Sequence, residues 1–305
     1  MIHARLFSGP AAALLFLLGC GDSSEGTGSG GGTTVSAGQT TATSTTSGSS
    51  TGSSPTSSAT TGSGGAPPSC DFTETPGTTT ETLDVDGTMR TYVLVVPDDV
   101  DGKSAVPLVF GFHGFNGTAD AASQYFGLSG QGAYYVYPQA LPLPGQNGGV
   151  GWDMEPDGVD VAFIDSLITS LVSSHCIDEA RVFAAGHSHG ASFSNHLGCY
   201  RPEVFRAVAP VAGGGPWAGP CTGSVSAMLV HGSADDQVPV SAGQDSRDHW
   251  LMANGCLGSA SAPIDPAPCA VYDGCAEPVL WCEHGGGHEW PDFAGAGIRG
   301  FFLGL

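Results

Sequence analysis

The sequence GHSHG, at residues 186–190, places a serine between two histidines and two glycines. Such a serine is a candidate nucleophile, because glycines on both sides permit a sharp strand-to-helix turn that exposes the hydroxyl. A second Gly-x-Ser-x-Gly match, at residues 48–52, lies in a glycine- and serine-rich stretch that predicts neither strand nor helix. The first match follows the strand-like run RVFAAG and precedes the helix-like run GASFSNHLGCY. We therefore expect Ser188 to be the nucleophile.

A serine nucleophile needs a base, and the base needs a carboxylate that orients it. The strand-like run AMLVHG is followed by Asp235 and Asp236, and the run PVLWCEHGG contains His284 and leads to His288. The order serine, acid, histidine is that of α/β-hydrolases. Asp160 precedes the serine and is predicted to cap a helix instead.

Alternating strand and helix patterns predict the elements that position these residues. Short apolar runs bounded by turn signals predict strands at 90–97, 106–114, 133–138, 181–188, 207–213, 227–232 and 278–286. Apolar residues at three- and four-residue steps predict a helix at 160–175. The predicted fold is α/β, with a mostly parallel sheet and helices on both faces. Ligand sites in such sheets lie at the carboxyl ends of the strands, where the candidate residues fall.

Seven motifs, in the region from about residue 82 onward, carry a family resemblance. They are HGFNGT (113–118), YPQA (137–140), GWD (151–153), DVAFIDSLI (160–168), CIDEARVFAAGHSHGAS (176–192), HGSADDQVP (231–239) and GGGHEWP (285–291). In this order they resemble the secreted esterases of the polyhydroxybutyrate depolymerase, feruloyl esterase and acetylxylan esterase group. The resemblance implies an α/β-hydrolase fold and a serine esterase that forms an acyl-enzyme and requires no cofactor.

The resemblance also assigns roles to particular residues. The acid is then Asp235 rather than its neighbour, and the base is His288. His284 lies on a predicted strand and is expected to pack there. The oxyanion of an acyl-transfer intermediate needs N–H donors. We expect these to be the backbone N–H of His189, directly after the nucleophile, and that of Phe115, which the resemblance assigns.

The residues around the serine depart from the family pattern, which more often has small or apolar side chains there. His187 and His189 diverge on a tight turn and have no further ligands nearby in sequence, so no metal site is predicted. We expect His189 to line the acyl pocket, where its protonation would change activity below neutral pH. Trp152 and Trp217 lie in glycine-rich loops and are predicted to contact substrate, whereas Trp281 is predicted to be core.

The identity of the ester remains open at this point. Feruloyl or acetyl esters of plant polysaccharide are favoured over a polyester, because no separate polymer-binding domain follows the catalytic region. A peptidase on the same fold and a non-catalytic surface-binding protein are alternatives from other classes. The full set of triad candidates argues against the non-catalytic alternative.

The N-terminal 68 residues predict export. In residues 1–20, the apolar core at 11–18 is too short to span a bilayer and leads into LLGC, which resembles a bacterial lipobox. Cys20 is therefore predicted to carry a lipid anchor. Residues 21–68, rich in glycine, serine and threonine, predict a flexible linker, and residues 69–305 form the predicted catalytic domain. The expected location is extracellular or at the cell surface, with the anchor as the membrane contact.

Cysteine content and charge agree with this location. Leaving Cys20 out of the 9 cysteines leaves an even number, which predicts disulfides in an exported chain. Local spacing suggests the pairs Cys199 with Cys221 and Cys269 with Cys275. The formal net charge of −21 disfavours binding to nucleic acid or to anionic membrane surfaces.

Overall fold

The structure, a computed structural model, describes residues 70–217, 219–258 and 260–305. The strands within these residues are β1 (Gly77–Val85), β2 (Thr88–Val96), β3 (Val106–Phe112), β4 (Tyr134–Pro138), β5 (Leu141–Pro142), β6 (Val150–Gly151), β7 (Ile177–His187), β8 (Phe205–Val211), β9 (Ser226–Gly232), β10 (Ala260–Pro263), β11 (Cys269–Tyr272) and β12 (Val279–His284). The helices are α1 (Ala119–Tyr125), α2 (Val159–Ser174), α3 (His189–Tyr200), α4 (Val240–Ala253) and α5 (Ala294–Leu303). The predicted signal peptide, Cys20 and the predicted linker lie outside the described residues.

The strands form one large sheet in the order β1-β2-β4-β3-β7-β8-β9-β12-β11-β10, beside the short β5–β6 hairpin. The six central strands, β4, β3, β7, β8, β9 and β12 in sheet order, are parallel. The strands at both edges pair antiparallel. The prediction of a mostly parallel sheet is thus confirmed. Sequence patterns missed β1, because its alternating threonines and acidic residues lie largely exposed at the sheet edge.

Helices cover both faces of the sheet, which explains why β3 is apolar along its whole length. α2, α3 and α4 cover one face through side chains such as Phe163, Phe193 and Trp250. α1 and α5 cover the other face through Ala122 and Phe302. Among the described residues, no helix is long and apolar enough to cross a membrane.

The start of α2 differs from the prediction. Gly158 is the N-cap residue, and the N–H of Val159 at the start of the helix donates to Oδ2 of Asp153, so the expectation that Asp160 is a cap is wrong. Asp160 is buried and accepts hydrogen bonds from the Arg90 guanidinium and from the N–H of Asp153. This buried ion pair ties β2 to α2, and the hydrogen bond that Arg90 also donates to the carbonyl of Gln139 ties β2 to the loop after β4.

Four disulfides join the described part of the chain: Cys70–Cys176, Cys199–Cys221, Cys256–Cys275 and Cys269–Cys282. The predicted pair Cys199–Cys221 is confirmed. The predicted pair Cys269–Cys275 is wrong, because the antiparallel register of β11 and β12 places Cys269 opposite Cys282. Register depends on tertiary pairing, and spacing along the chain does not reveal it.

Candidate active site

Ser188 occupies the turn between β7 and α3, at the carboxyl end of a central strand. Its backbone has φ of 56° and ψ of −119°, in a region that costs a non-glycine residue roughly 1–3 kcal/mol. The turn is tight because its glycines lack side chains. A Cβ atom on Gly186 would collide with the carbonyl of Gly190, and one on Gly190 would collide with the carbonyl of Phe112. The Gly-x-Ser-x-Gly pattern is therefore a steric requirement of this turn.

Ser188, His288 and Asp235 form one hydrogen-bonded chain at the carboxyl ends of β7, β12 and β9. His288 Nε2 lies 2.8 Å from Ser188 Oγ, and His288 Nδ1 lies 2.8 Å from Asp235 Oδ2. An ionised carboxylate can only accept, so Nδ1–H donates to it and Nε2 is left to accept from the hydroxyl. An imidazole in this state can take the hydroxyl proton as the serine oxygen attacks.

The neighbouring candidates take other positions. Asp236 is exposed to solvent, whereas the side chain of Asp235 is buried. His284 is the last residue of β12, and its Nδ1 accepts a hydrogen bond from the N–H of Gly286. Of the two histidines after β9, His288 is therefore the one in contact with the serine.

The surroundings of Asp235 keep its carboxyl group ionised. Its Oδ1 accepts hydrogen bonds from the N–H groups of Gln237 and Val238, each at 2.9 Å. Its Oδ2 lies 3.4 Å from Nε2 of buried His231. Burial raises the pKa of Asp235, but the hydrogen bonds from His288 and the two N–H groups outweigh this and hold the pKa below its ordinary value.

The loop after β3 brings residues 113–115 against Ser188. A Cβ atom on Gly114 would lie 3.2 Å from Ser188 Cβ. The backbone N–H groups of Phe115 and His189 have no hydrogen-bond partner among the described residues. Unpaired N–H groups beside a serine nucleophile are what a developing oxyanion requires. The oxyanion role of these two groups stays a prediction.

His113, which sequence analysis did not single out, holds this loop in place. Its Nδ1 lies 2.8 Å from the carbonyl oxygen of Gly114, and its Nε2 accepts from the N–H of Ala140. The side chain of Gln139 contacts Nε2 of His113 and also accepts from the N–H of Ala119. Burial lowers the pKa of His113 and keeps it neutral. The motifs HGFNGT and YPQA both appear in the sequence, but only the β3–β4 pairing shows that they meet.

The two histidines that flank Ser188 point to different neighbours. Nδ1 of His189 accepts from the backbone N–H of Trp152 at 3.1 Å, and its ring lies 6.0 Å from that of Phe115. Burial lowers the pKa of His189, so its charging is moved further below neutral pH. The His187 ring lies 5.0 Å from that of His288, and burial together with His288 lowers the pKa of His187 to about 4. That His189 lines the acyl pocket stays a prediction.

Three of the five tryptophans, those whose roles were predicted from the sequence, differ in exposure. Trp152 is 1% exposed, stacks on Phe193 and donates its indole N–H to the carbonyl of His113, so the prediction that it contacts substrate is wrong. The glycine-rich loop around Trp152 closes over the ring instead of presenting it. Trp281 is buried, as predicted. Trp217 is 65% exposed in the loop after β8, and its contact with substrate stays a prediction.

A mostly parallel sheet with a serine on a strand-to-helix turn, followed along the chain by an aspartate and a histidine in contact with it, is the arrangement of α/β-hydrolases. The sequence profile of the Esterase PHB depolymerase family matches residues 91–257. The chain belongs to this family.

The similar proteins carry esterase names. Feruloyl esterase C of Emericella nidulans is 30% identical over 216 residues, which cover 66% of this chain and 76% of the relative. Probable feruloyl esterase C of Aspergillus niger is 31% identical over the same shares. Among solved structures, an acetyl xylan esterase from Aspergillus awamori superimposes with a TM-score of 0.55 at 17% identity, over 73% of this chain and 98% of that chain. A ferulic acid esterase from Anaeromyces mucronatus gives a TM-score of 0.53 at 18% identity, over 75% and 90%. The structural likenesses show a shared fold.

Proposed function

We propose that this protein hydrolyses feruloyl or acetyl esters of plant polysaccharide through an acyl-enzyme on Ser188. The observation that carries the proposal is the hydrogen-bonded chain from Ser188 through His288 to Asp235. The names of the relatives, feruloyl esterases, support the choice of acid.

The chemistry follows from the atoms in contact. Ser188 Oγ attacks the ester carbonyl while its proton passes to Nε2 of His288, and the carbonyl oxygen becomes an oxyanion facing the N–H groups of Phe115 and His189. His288 then donates that proton to the departing alcohol oxygen, and the acyl group stays on the serine. A water molecule, deprotonated by the same imidazole, releases the acid. Asp235 holds the imidazole in the required tautomer throughout.

Polyester hydrolysis is the second candidate, favoured by the family profile that matches more than half of the chain. Its ester bond would be cut by the same steps. The two candidates differ in the groups on either side of the bond, so substrate preference separates them.

The four disulfides support a location outside the cytoplasm, where thiols are not kept reduced. We further propose that a lipid on Cys20 attaches the protein to a membrane. Mass spectrometry of the mature N-terminus tests it, since an unmodified or absent Cys20 rules the anchor out.

The test is release of acid from methyl ferulate, acetylated xylan and hydroxybutyrate oligomers in parallel, with the exported full chain. Ser188→Ala should abolish release, and Ser194→Ala is the matched control, because Ser194 is buried in α3 and, among the described residues, its hydroxyl bonds only the Gly190 carbonyl. Ferulate or acetate release that disappears in Ser188→Ala supports the proposal. Release of hydroxybutyrate alone moves the function to polyester hydrolysis.

A further inference from the structure

His187 adjoins both His288 and the oxyanion loop, since its Nδ1 lies 3.7 Å from the position that a Cβ atom on Gly114 would take. His288 must donate its proton to the departing alcohol oxygen, so the alcohol portion of the ester lies on the His288 side of the site. On that side stand His187, 5.0 Å from His288 between ring centroids, and Tyr125, whose hydroxyl lies 3.4 Å from Nδ1 of His187. Phe115, in edge contact with His189, lies beside the oxyanion loop.

Tyr125 is held so that its ring is supported and part of it is open to solvent. It is the last residue of α1 and is 50% exposed. Its ring packs edge-to-face on Phe126 at 4.7 Å, and Phe126 in turn stacks on Trp290 at 4.0 Å. A supported aromatic ring with one polar end can offer a hydrogen bond at low cost in side-chain entropy.

A histidine at position 187 lowers the stability of the folded protein. Its Nε2 is buried and has no hydrogen-bond partner among the described residues, and such an unpaired atom destabilises the folded protein. Its other ring nitrogen is the one beside the Tyr125 hydroxyl. When Nδ1 of a neutral His187 accepts a hydrogen bond from the Tyr125 hydroxyl, the lone pairs of the phenolic oxygen are free to accept another hydrogen bond.

We propose that Tyr125 and His187 form the subsite for the departing alcohol, and that this subsite is selective for a sugar. The Tyr125 oxygen accepts a hydrogen bond from a sugar hydroxyl next to the esterified oxygen. A simple alkyl alcohol has no such donor, and the alcohol portion of an internal polyester bond presents a carbonyl acceptor instead. This inference rests on the proposed ester hydrolysis by Ser188 and His288, and names the alcohol that it releases.

The test compares two esters of one acid that differ only in the alcohol, methyl ferulate and feruloyl arabinose. The quantity measured is the ratio of kcat/KM for the sugar ester to that for the methyl ester. Tyr125→Phe should lower this ratio about three- to tenfold, the usual effect of one neutral hydrogen bond. The matched control is Tyr135→Phe, because Tyr135 is fully buried in β4 and its hydroxyl lies near the Gln131 carbonyl.

His187→Gln and the double variant with Tyr125→Phe test whether the two side chains act together. Both substitutions remove the same hydrogen bond. The double variant should therefore have a kcat/KM ratio no lower than that of the more strongly affected single variant. An unchanged ratio in Tyr125→Phe, with both esters still hydrolysed, overturns the subsite and leaves the proposed function standing.

A parallel pair, methyl acetate and acetyl xylose, separates the two proposals. If only the acetates are hydrolysed, the acid in the proposed function is acetic acid and not ferulic acid. The sugar-to-methyl ratio is then measured with the acetate pair. A folded wild type that cleaves neither pair overturns both proposals.

Discussion

At the scale of single residues, hydrogen bonds decide what each ionisable group beside Ser188 can do. Asp235 and Asp236 are adjacent in sequence, yet one is buried under two backbone N–H groups and the other faces solvent. Only the buried carboxylate has a fixed geometry toward His288. The two aspartates therefore form a natural matched pair.

Asp235→Asn is expected to lower kcat about 10⁴-fold, because a carboxamide favours the wrong tautomer of His288. Asp236→Asn should leave kcat within about twofold, since an exposed carboxylate interacts weakly with the site. Steady-state kinetics measures both, with whichever of methyl ferulate, acetylated xylan and hydroxybutyrate oligomers the wild type hydrolyses fastest. Equal losses in the two variants would show that the acid is not Asp235 alone.

At the scale of elements, α5 shows how glycine serves two purposes on one helix. A Cβ atom on Gly295 would collide with the carbonyl oxygens of Phe126 and Gly127, whereas a Cβ on Gly300 would meet no described atom within 4 Å apart from its chain neighbours and the backbone of its own helix. The first glycine permits close contact of α5 with the end of α1. The second is exposed and contributes only backbone freedom.

Gly295→Ala should lower the free energy of unfolding by about 1–3 kcal/mol, because the extra methyl group forces the helix away from its partner. Gly300→Ala should raise it by about 0.5–1 kcal/mol, because alanine favours the helix. Urea unfolding at pH 7 measures both changes. Two shifts of the same sign would mean that α5 does not pack as described.

At the scale of the whole molecule, the disulfides close loops of very different length. Cys70 and Cys176 are 106 residues apart, whereas Cys269 and Cys282 are 13 apart. Replacing both cysteines of the long loop by alanine should cost about 4–5 kcal/mol of stability, against about 3 kcal/mol for the short loop, because a longer loop restricts the unfolded chain more. Thermal and urea unfolding of the two double variants, each the control for the other, tests this order.

Buried and half-buried histidines should make the whole molecule sensitive to acid. Burial lowers the pKa of six of them, His113, His187, His189, His196, His249 and His284. Below the ordinary histidine pKa the unfolded chain binds more protons than the folded chain. The free energy of unfolding should therefore fall as pH falls below about 6.5. For His187, whose pKa is about 4, the loss is complete near that pH.

The lowered pKa of Asp235 acts at still lower pH, since its stabilising contribution is lost as the carboxylate becomes protonated. Urea unfolding between pH 7 and pH 4 measures the slope. His187→Gln should remove about 3 kcal/mol of the change over this range, while Ser194→Ala, which removes no titrating group, should leave the slope as it is. A free energy of unfolding that does not change with pH in the wild type would contradict the expected acid sensitivity.

Much of the architecture can be predicted from the sequence, because its signals are local. Continuous apolar runs mark the buried parallel strands, and helical periodicity marks α2 within one residue at each end. The two glycines around Ser188 act through atoms only a few residues away, so the turn is readable from the motif. The order of acid and histidine after the serine, together with their places at the ends of predicted strands, limits the triad candidates to two aspartates and two histidines.

Other features depend on which strands are neighbours and in what register, and local patterns carry no such information. The Cys269–Cys282 pair follows from the alignment of β11 with β12. Trp152 is buried because its loop folds over α3, and Asp160 meets Arg90 from a distant strand. Tyr125 reaches His187 across 62 residues of sequence. Long-range contacts of this kind arise only when the whole sheet assembles, so the tertiary structure alone places them beside the site.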